Sequence, residues 1–268
     1  MMKSDCQHTL AVIKHGGSTM SDHGGGDGVL TQIAALHKAG MRVVVVHGGG
    51  NRITELSHAL GIPTRFVAGR RFTCGSTLSA AVMTLAGAVN KELVAGLFRA
   101  SVSAVGLSGV DGQILQTEPA GQEFGAVGTV AAVNTAPIQL LLDAGLLPVL
   151  APIGIGQEGA MHNINADLAA SAVAVALRAS HLLFITDVPG VRVGGAIRQH
   201  LTIAEAKFFL ASQEIDGGMI PKTEAAMQAA AAGIANVRII GNGDLAIANG
   251  IAGSVGTAFG LGPLPEVE

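Results

Sequence analysis

Tryptophan and tyrosine are absent from this chain of 268 residues, and eight phenylalanines supply all of its aromatic surface. A single-stranded nucleic-acid face needs aromatic platforms set among basic residues. Here 16 Lys and Arg are scattered among 19 Asp and Glu, for a net charge of −3, so no nucleic-acid partner is expected. Charged residues make up only 13% of the chain, against roughly 25% in an average protein. The two cysteines, Cys6 and Cys74, are too few and too far apart for a disulfide framework or a CxxC metal site. No apolar run reaches the ~18 residues of a membrane-crossing helix, because Gly, Asp, His or Arg interrupts every stretch. The first residues, MMKSDCQHTL, lack the apolar core of a signal peptide, so a cytoplasmic protein with no membrane partner is expected.

What the chain has in excess is glycine, 38 residues of it, together with long alanine-rich stretches and 49% hydrophobic content. The glycines are clustered, which excludes a collagen repeat and assigns them to sharp turns and close packing. Apolar β-type runs at 9–14, 42–47, 103–107, 147–151, 181–186 and 237–240 alternate with helical patterns at 29–39, 51–60, 77–99, 135–144, 167–179, 202–212 and 221–232. Near-continuous runs such as VVVV at 43–46 read as strands covered on both faces. The expected architecture is α/β, an open αβα sandwich with a mainly parallel central sheet. The irregular stretch 108–134 reads as β-hairpins, and no linker divides the chain, so 1–268 is taken as one domain. In such sheets ligands bind beyond the carboxyl ends of the strands.

Five places carry candidate chemistry. Lys14 ends the first apolar strand and is followed by Gly16 and Gly17, an arrangement that lets an ammonium and backbone amides converge on an anion. With only six lysines in the chain, its position stands out. The glycine-rich stretch 21–28, with His23 and Asp27, reads as a solvated loop before the first helix. The second place is VVVVHGGGN at 43–51, where glycines lead a strand into a helix N-terminus. It fits neither GxGxxG nor GxxxxGK[ST], and His47 within it reads as a packed or hydrogen-bonded histidine rather than a base. Third, the adjacent pair Arg70-Arg71 is either a solvated hairpin edge or a guanidinium fork for a carboxylate.

Fourth, Asn163, Asn165 and Asp167 precede an alanine-rich helix, and they exceed what one N-cap requires. An unpaired carboxylate beside an apolar helix is costly, so Asp167 needs a cationic partner. Fifth, Gly217 and Gly218 lead through Pro221 to Lys222, a cation at the positive end of a helix, which is unfavourable unless an anion arrives. Asp187, after the strand at 181–186, is placed to hydrogen-bond a nucleotide or to start a turn. Zinc spacings and a GxSxG elbow are absent, and neither cysteine has a sequence-level reason to act as a nucleophile.

The motifs IKHGGSTM, VVVVHGGGNRI, AGRRFT, TLAGAVNKELV, AVGLSGVDG, GLLPVLAPIG, HNINADLAA, FITDVPGV, GGMIPKTEAA and GTAF, in this order over residues 9 to 259, resemble the amino-acid kinase superfamily. Within it they are similar to the branch acting on N-acetyl-L-glutamate. The resemblance implies a carbamate-kinase-like fold, with the acceptor bound in a half at about 1–160 and the nucleotide in a half at about 161–268. It implies ATP as phosphoryl donor, Mg²⁺ held mainly by the ATP phosphates with no dedicated metal ligands, and a homodimer. Lys14 and Lys222 match lysines that stabilise the transferring phosphoryl group, and Asp167 the aspartate that orients them. Gly48, Gly49, Arg71 and Asn163 match acceptor-binding positions, with Arg71 on the α-carboxylate. Gly16, Gly17, Thr186, Asp187, Gly217 and Gly218 fall on the phosphate and nucleotide side. Arginine-inhibited members carry an extra N-terminal helix for which Lys14 arrives too early, so arginine insensitivity is implied. Cys74 stands where an acidic residue often follows the arginine motif, and Val110 where a lysine is common. Two alternatives stay open: a kinase for a carrier-bound aminoadipate or glutamate carboxylate, and a non-catalytic ligand-binding regulator.

Overall fold

A computed structural model describes residues 9–16, 27–67 and 70–262. Cys6, Gly17, Gly69 and residues 21–26, which include His23, lie outside them. The central sheet has eight strands in the spatial order β14-β16-β15-β11-β1-β2-β8-β5. In chain order these are β1 (Leu10–His15), β2 (Arg42–His47), β5 (Ala104–Ser108), β8 (Leu147–Ala151), β11 (His181–Ile185), β14 (His200–Thr202), β15 (Asn236–Ile240) and β16 (Thr257–Gly260). All neighbours pair in parallel except β15 with β16. The mainly parallel sheet expected from the alternating pattern is therefore observed, with two short strands, β14 at the edge and β16 next to it, added to the six expected.

Side chains of a strand alternate between the two faces of the sheet, and here the two sets enter different cores. Leu10, Val12, Val44, Val46, Leu182 and Phe184 pack under α5 (Ala136–Asp143), α6 (Ala166–Ala176), α7 (Ile203–Ala211) and α8 (Met219–Ala231). Ile13, Val43, Val45, Leu183 and Ile185 pack under α1 (Asp27–Lys38), α4 (Asn90–Arg99) and α9 (Ala246–Ile251). The αβα layering follows from this division. The alanine excess finds its place where α6 meets α8: Ala169, Ala170 and Ala174 face the same core as Ala225, Ala226 and Ala229, all fully buried.

Three differences from the sequence reading bear on the site. The helix expected at 77–99 spans Gly75–Arg99, but its middle, Met83–Val89, is a π-helix between α3 (Gly75–Val82) and α4. By length and composition alone this helix could cross a bilayer; instead Val89, Leu93 and Leu97 are buried in the core of the sandwich. The stretch 108–134 holds one hairpin, β6 (Leu115–Pro119) and β7 (Gly128–Val133), and its other turns are short 3₁₀ segments. That hairpin joins β9 (Ile153–Ile155) and β10 (Met161–Asn163) in a second, four-stranded sheet. Two further two-stranded pairs complete the strands: β3 (Phe66–Val67) with β4 (Arg70–Arg71), and β12 (Arg192–Val193) with β13 (Ala196–Ile197). The remaining helix, α2 (Gly50–Ala59), starts directly from the glycine run.

Candidate active site

Strand alternation decides which way the end of β1 faces. Lys14 continues the set Leu10, Val12 and so points to the α6–α8 layer, while His15 points to the α4 layer. On the α6 side Lys14 meets the second residue of α6: its Nζ is 2.9 Å from Asp167 Oδ1, with each side chain 5% exposed. Lys222, in the first turn and a half of α8, places its Nζ 3.5 Å from the other oxygen, Oδ2. Asp167 thus has the cationic partner that its surroundings demand, twice over. It is free for this because Asn165 is the N-cap of α6, accepting from the backbone N–H groups of Asp167 (2.8 Å) and Leu168 (3.2 Å). The carboxylate also lies at the favourable, positive end of the helix dipole.

Two ammonium groups on one carboxylate leave a surplus positive charge. Burial pushes the Lys222 amine below its ordinary pKa, the Lys14 charge pushes the same way, and Asp167 and Asp187 oppose both. An incoming anion would relieve that tension. Thr186 and Asp187 stand at the end of β11, the Thr186 hydroxyl donating to Asp187 Oδ1 at 3.0 Å. Gly217 has a φ of +52° and Gly218 is the N-cap of α8, with its carbonyl 3.4 Å from Lys222 Nζ.

On the other side of Lys14 and Asp167 lies a pocket of about 240 Å³. It is lined by Gly48, Gly49, Arg71 and Asn163, and also by Gly50, Ile53, Phe66, Arg70, Leu85 and Val127. Arg71 is held in place: its Nη2 donates to the Gly50 carbonyl (2.9 Å) and to Thr54 Oγ1 (2.7 Å), and its guanidinium lies 4.9 Å from the ring centre of Phe66, its cross-strand partner. Its Nη1 has no hydrogen-bond partner among the described residues. Asn163 Nδ2 donates to Thr73 Oγ1 at 3.3 Å. A basic fork with an unused donor, an amide and a strip of apolar wall suit a small carboxylic acid.

The two glycines Gly48 and Gly49 differ in their hydrogen bonding. The Gly48 N–H is taken up by the His15 carbonyl at 2.9 Å, whereas the Gly49 N–H has no hydrogen bond among the described residues. Gly49 has a φ of +152°, and a Cβ there would sit 2.8 Å from Leu85 Cδ2, so a larger residue would strain the backbone and force Leu85 to move. His47 is fully buried, with Nδ1 2.9 Å from the Gly48 carbonyl oxygen and Nε2 3.2 Å from Asn90 Nδ2. Burial lowers its pKa to about 4 despite the carbonyl contact, with Lys14 and Lys91 adding to the effect. His15 falls to about 3, through burial first and then His47 and Lys14. His47 is a packed, hydrogen-bonded histidine, as its sequence context suggested.

Of the residues singled out from sequence, Lys14, Gly48, Gly49, Arg71, Asn163 and Asp167 line one pocket. Lys222 joins them through Asp167; Thr186, Asp187, Gly217 and Gly218 lie outside that pocket's lining, and Gly16 directly follows β1. Sequence reasoning missed Thr54, whose spacing of four from Gly50 on a helix was a usable signal, and Leu85, for which nothing in the pattern announces a π-helix. It gave Cys74 no reason to be reactive, whereas this exposed thiol is lowered to about 7 by hydrogen bonding with Ser76 and Thr77.

Four resemblances to known proteins accompany this geometry. Residues 9–241 match the amino acid kinase family. The acetylglutamate kinase of Chlorobaculum parvum is 45% identical over 231 residues, covering 85% of this chain and 77% of that protein. Among solved structures, a Streptococcus mutans protein superposes with a TM-score of 0.84 at 33% identity, over 94% of this chain and 99% of its own. Carbamate kinase from Giardia lamblia shares the fold at 16% identity, with a TM-score of 0.71 over 94% of this chain and 98% of its own.

Proposed function

The chain belongs to the amino acid kinase family, and from that membership we propose that it transfers the γ-phosphoryl group of ATP to the side-chain carboxylate of N-acetyl-L-glutamate. The product is an acyl phosphate, a step of arginine biosynthesis. The observation that carries the reading is Asp167 gripped by Lys14 and Lys222 at the edge of a pocket that also holds Arg71 and Asn163.

A carboxylate with a pKa of about 4.3 is already ionised at neutral pH, so the acceptor needs no general base. One of its oxygens attacks the γ-phosphorus, the bond to the β-phosphate bridging oxygen breaks, and ADP departs with that electron pair. Catalysis then consists of alignment and of stabilising charge on the equatorial oxygens. Lys14 and Lys222 supply positive charge from two sides, Asp167 keeps them apart and oriented, and Gly49 offers a backbone donor. Arg71 holds the α-carboxylate with its free Nη1, and Asn163 holds the amide end of the acceptor. Thr186, Asp187, Gly217 and Gly218, with Gly16 and Gly17, serve the nucleotide and its phosphates. The donor set suits Mg²⁺ carried on the nucleotide: among the described residues Asp167 is the one carboxylate in the pocket lining, and it is engaged by two lysines. Bound to the phosphates, the ion would offset their charge.

The halves at about 1–160 and 161–268 serve acceptor and nucleotide respectively in this reading, and the enzyme works as a cytoplasmic homodimer. Exposed Met83 and Phe98 on the helix Gly75–Arg99 are consistent with a second copy. The decisive experiment traps acyl phosphate as its hydroxamate from ATP, Mg²⁺ and N-acetyl-L-glutamate, beside glutamate, aminoadipate and carrier-linked acids. No product above a Lys14→Ala control would sink the proposal, and a preference for a non-acetylated acid would move it to another acceptor.

A further inference from the structure

We infer that His47 is a positioning residue for phosphoryl transfer: its ring holds the Gly48–Gly49 peptide so that the Gly49 N–H is presented to an anionic oxygen in the pocket. The inference rests on the kinase reading above, and it assigns a task to a buried group that the transfer itself does not use.

The partners of the His47 ring fix its hydrogen-bond roles. His47 Nδ1 lies 2.9 Å from a carbonyl oxygen, which can only accept, so Nδ1 must carry the proton. A neutral imidazole has one N–H, which makes Nε2 an acceptor. Its neighbour agrees. Asn90 turns its amide nitrogen to His47 Nε2 and to the carbonyls of Leu107 (3.2 Å) and Val149 (3.0 Å), while its oxygen accepts from Lys91 Nζ at 3.0 Å. Flipping Asn90 would set its oxygen against two carbonyls. The first residue of α4 therefore selects the tautomer of a histidine 43 positions away.

The consequence for the glycine run is geometric. The described residues contain no cis peptide, and in a trans peptide C=O and N–H point in opposite directions. His47 belongs with Val43 and Val45 on the α4 face of the sheet, so its ring draws the Gly48 carbonyl to that face. The N–H of the same peptide, that of Gly49, is turned to the opposite face, where Lys14 and Asp167 stand and where Gly49 lines the pocket. Gly48 cannot substitute, because its own N–H is bonded to the His15 carbonyl. The π-helical segment closes the clamp: Leu85 and Val89 press on the Cα of Gly49, at 2.8 and 3.4 Å from where a Cβ would stand. A histidine with both nitrogens committed and its ring fully buried is suited to fixing a peptide and unsuited to moving a proton.

Two substitutions separate the nitrogens. His47→Asn keeps a donor near the position of Nδ1 and leaves the Asn90 amide with two carbonyls. His47→Gln keeps a group near Nε2 and loses the Nδ1 donor. Removal of an oxyanion donor typically costs about 10²–10³ in kcat, and misplacing one is expected to cost His47→Gln about tenfold or more. Its KM values for ATP and acceptor should stay within about threefold of wild type, because only transition-state contact is lost. His47→Asn should recover most of the kcat. A His47→Gln enzyme with wild-type kcat, or a His47→Asn enzyme that falls as far, overturns the inference, with thermal melts confirming that both variants fold. Imidazole ¹⁵N shifts of the wild-type protein give a readout independent of turnover. A neutral Nδ1–H ring is expected from pH 5.5 to 8, and an Nε2–H or charged ring refutes the inference. If wild type makes no acyl phosphate, the kinase reading fails by itself, and the ¹⁵N tautomer still decides whether His47 holds the Gly48 carbonyl.

Discussion

Acidification from pH 7 to pH 5 should destabilise this protein well before its carboxylates titrate. His15 and His47 are buried side by side at the ends of β1 and β2, with pKa values lowered to about 3 and about 4. In the unfolded chain both return to about 6.5. Between those limits the unfolded state binds more protons than the native one, so stability falls as pH falls, starting near 6.5. At pH 5 each histidine contributes a loss of about 1.36 kcal/mol for each of 1.5 pH units, and the pair together about 4 kcal/mol. That is a large part of the ~5–15 kcal/mol that holds a typical domain together. His162, His181 and His200 are also pushed down by burial and add in the same direction. Glu205, whose carboxyl is held low by the Thr202 backbone and hydroxyl, begins to matter only below its ordinary range. Urea unfolding followed by circular dichroism at pH 7, 6 and 5 measures the effect. The midpoint should drop progressively with an unchanged slope, with uptake of about two protons or more on unfolding at pH 5. In His47→Asn the part of the loss due to that ring, about 2 kcal/mol, should vanish. A midpoint constant from pH 7 to 5 would refute the claim that these histidines are neutral in the native state.

Three further outcomes test the site directly. Asp167→Asn strips Lys14 and Lys222 of their shared counter-charge; loss of one partner from a buried ion pair costs about 3–5 kcal/mol, so melting should fall and turnover be lost, with ATP restoring more stability to the variant than to wild type. A melting temperature equal to wild type would contradict the buried triad. Arg71→Gln removes a charge-assisted contact of about 1.5–3 kcal/mol, and steady-state kinetics should show the acceptor KM raised at least about tenfold with the ATP KM unmoved; equal effects on both substrates would remove Arg71 from the acceptor site. Cys74 should react with iodoacetamide along a curve whose midpoint lies near pH 7, because Ser76 and Thr77 hydrogen-bond its sulfur; a midpoint near the ~8.5 of a free thiol would dismiss those bonds.

What could be read from residues alone, and what could not, divides along a physical line. Lys14 and Asp167 were legible because a charge in an apolar frame must be compensated, and that requirement is visible without coordinates. The glycine runs were legible because few other residues permit close backbone approach. Strand alternation and the alanine-rich helices gave the αβα order, since periodicity reports which faces are covered. It does not report which hydrogen bonds are used up. Hence Gly48 and Gly49 look equivalent in sequence, although one N–H is bonded to His15 and the other is not. The short strands β14 and β16 and the helix α9 are three to six residues long, too short for a period to show. Asn90 reads as an ordinary polar residue at a helix position, because the groups it serves are 17 to 59 positions away.

The scarcity of charge acquires a sharper meaning at the site. Lys14 and Lys222 already exceed the single negative charge of Asp167, and two arginines line the same pocket. Had His15 and His47 been ionised there, two more positive charges would repel Lys14 from directly beneath, and burial of all of them would be untenable. Deep burial keeps both rings neutral and so reserves the positive potential for groups that face the pocket. It also converts His47 from a titrating group into a fixed hydrogen-bond device. An acceptor that arrives ionised makes this arrangement workable, because no proton has to be removed during transfer. The sheet thus separates two tasks across its thickness: charge on the α6 face, where phosphate would lie, and neutral hydrogen bonding on the α4 face, where the backbone that meets it is held.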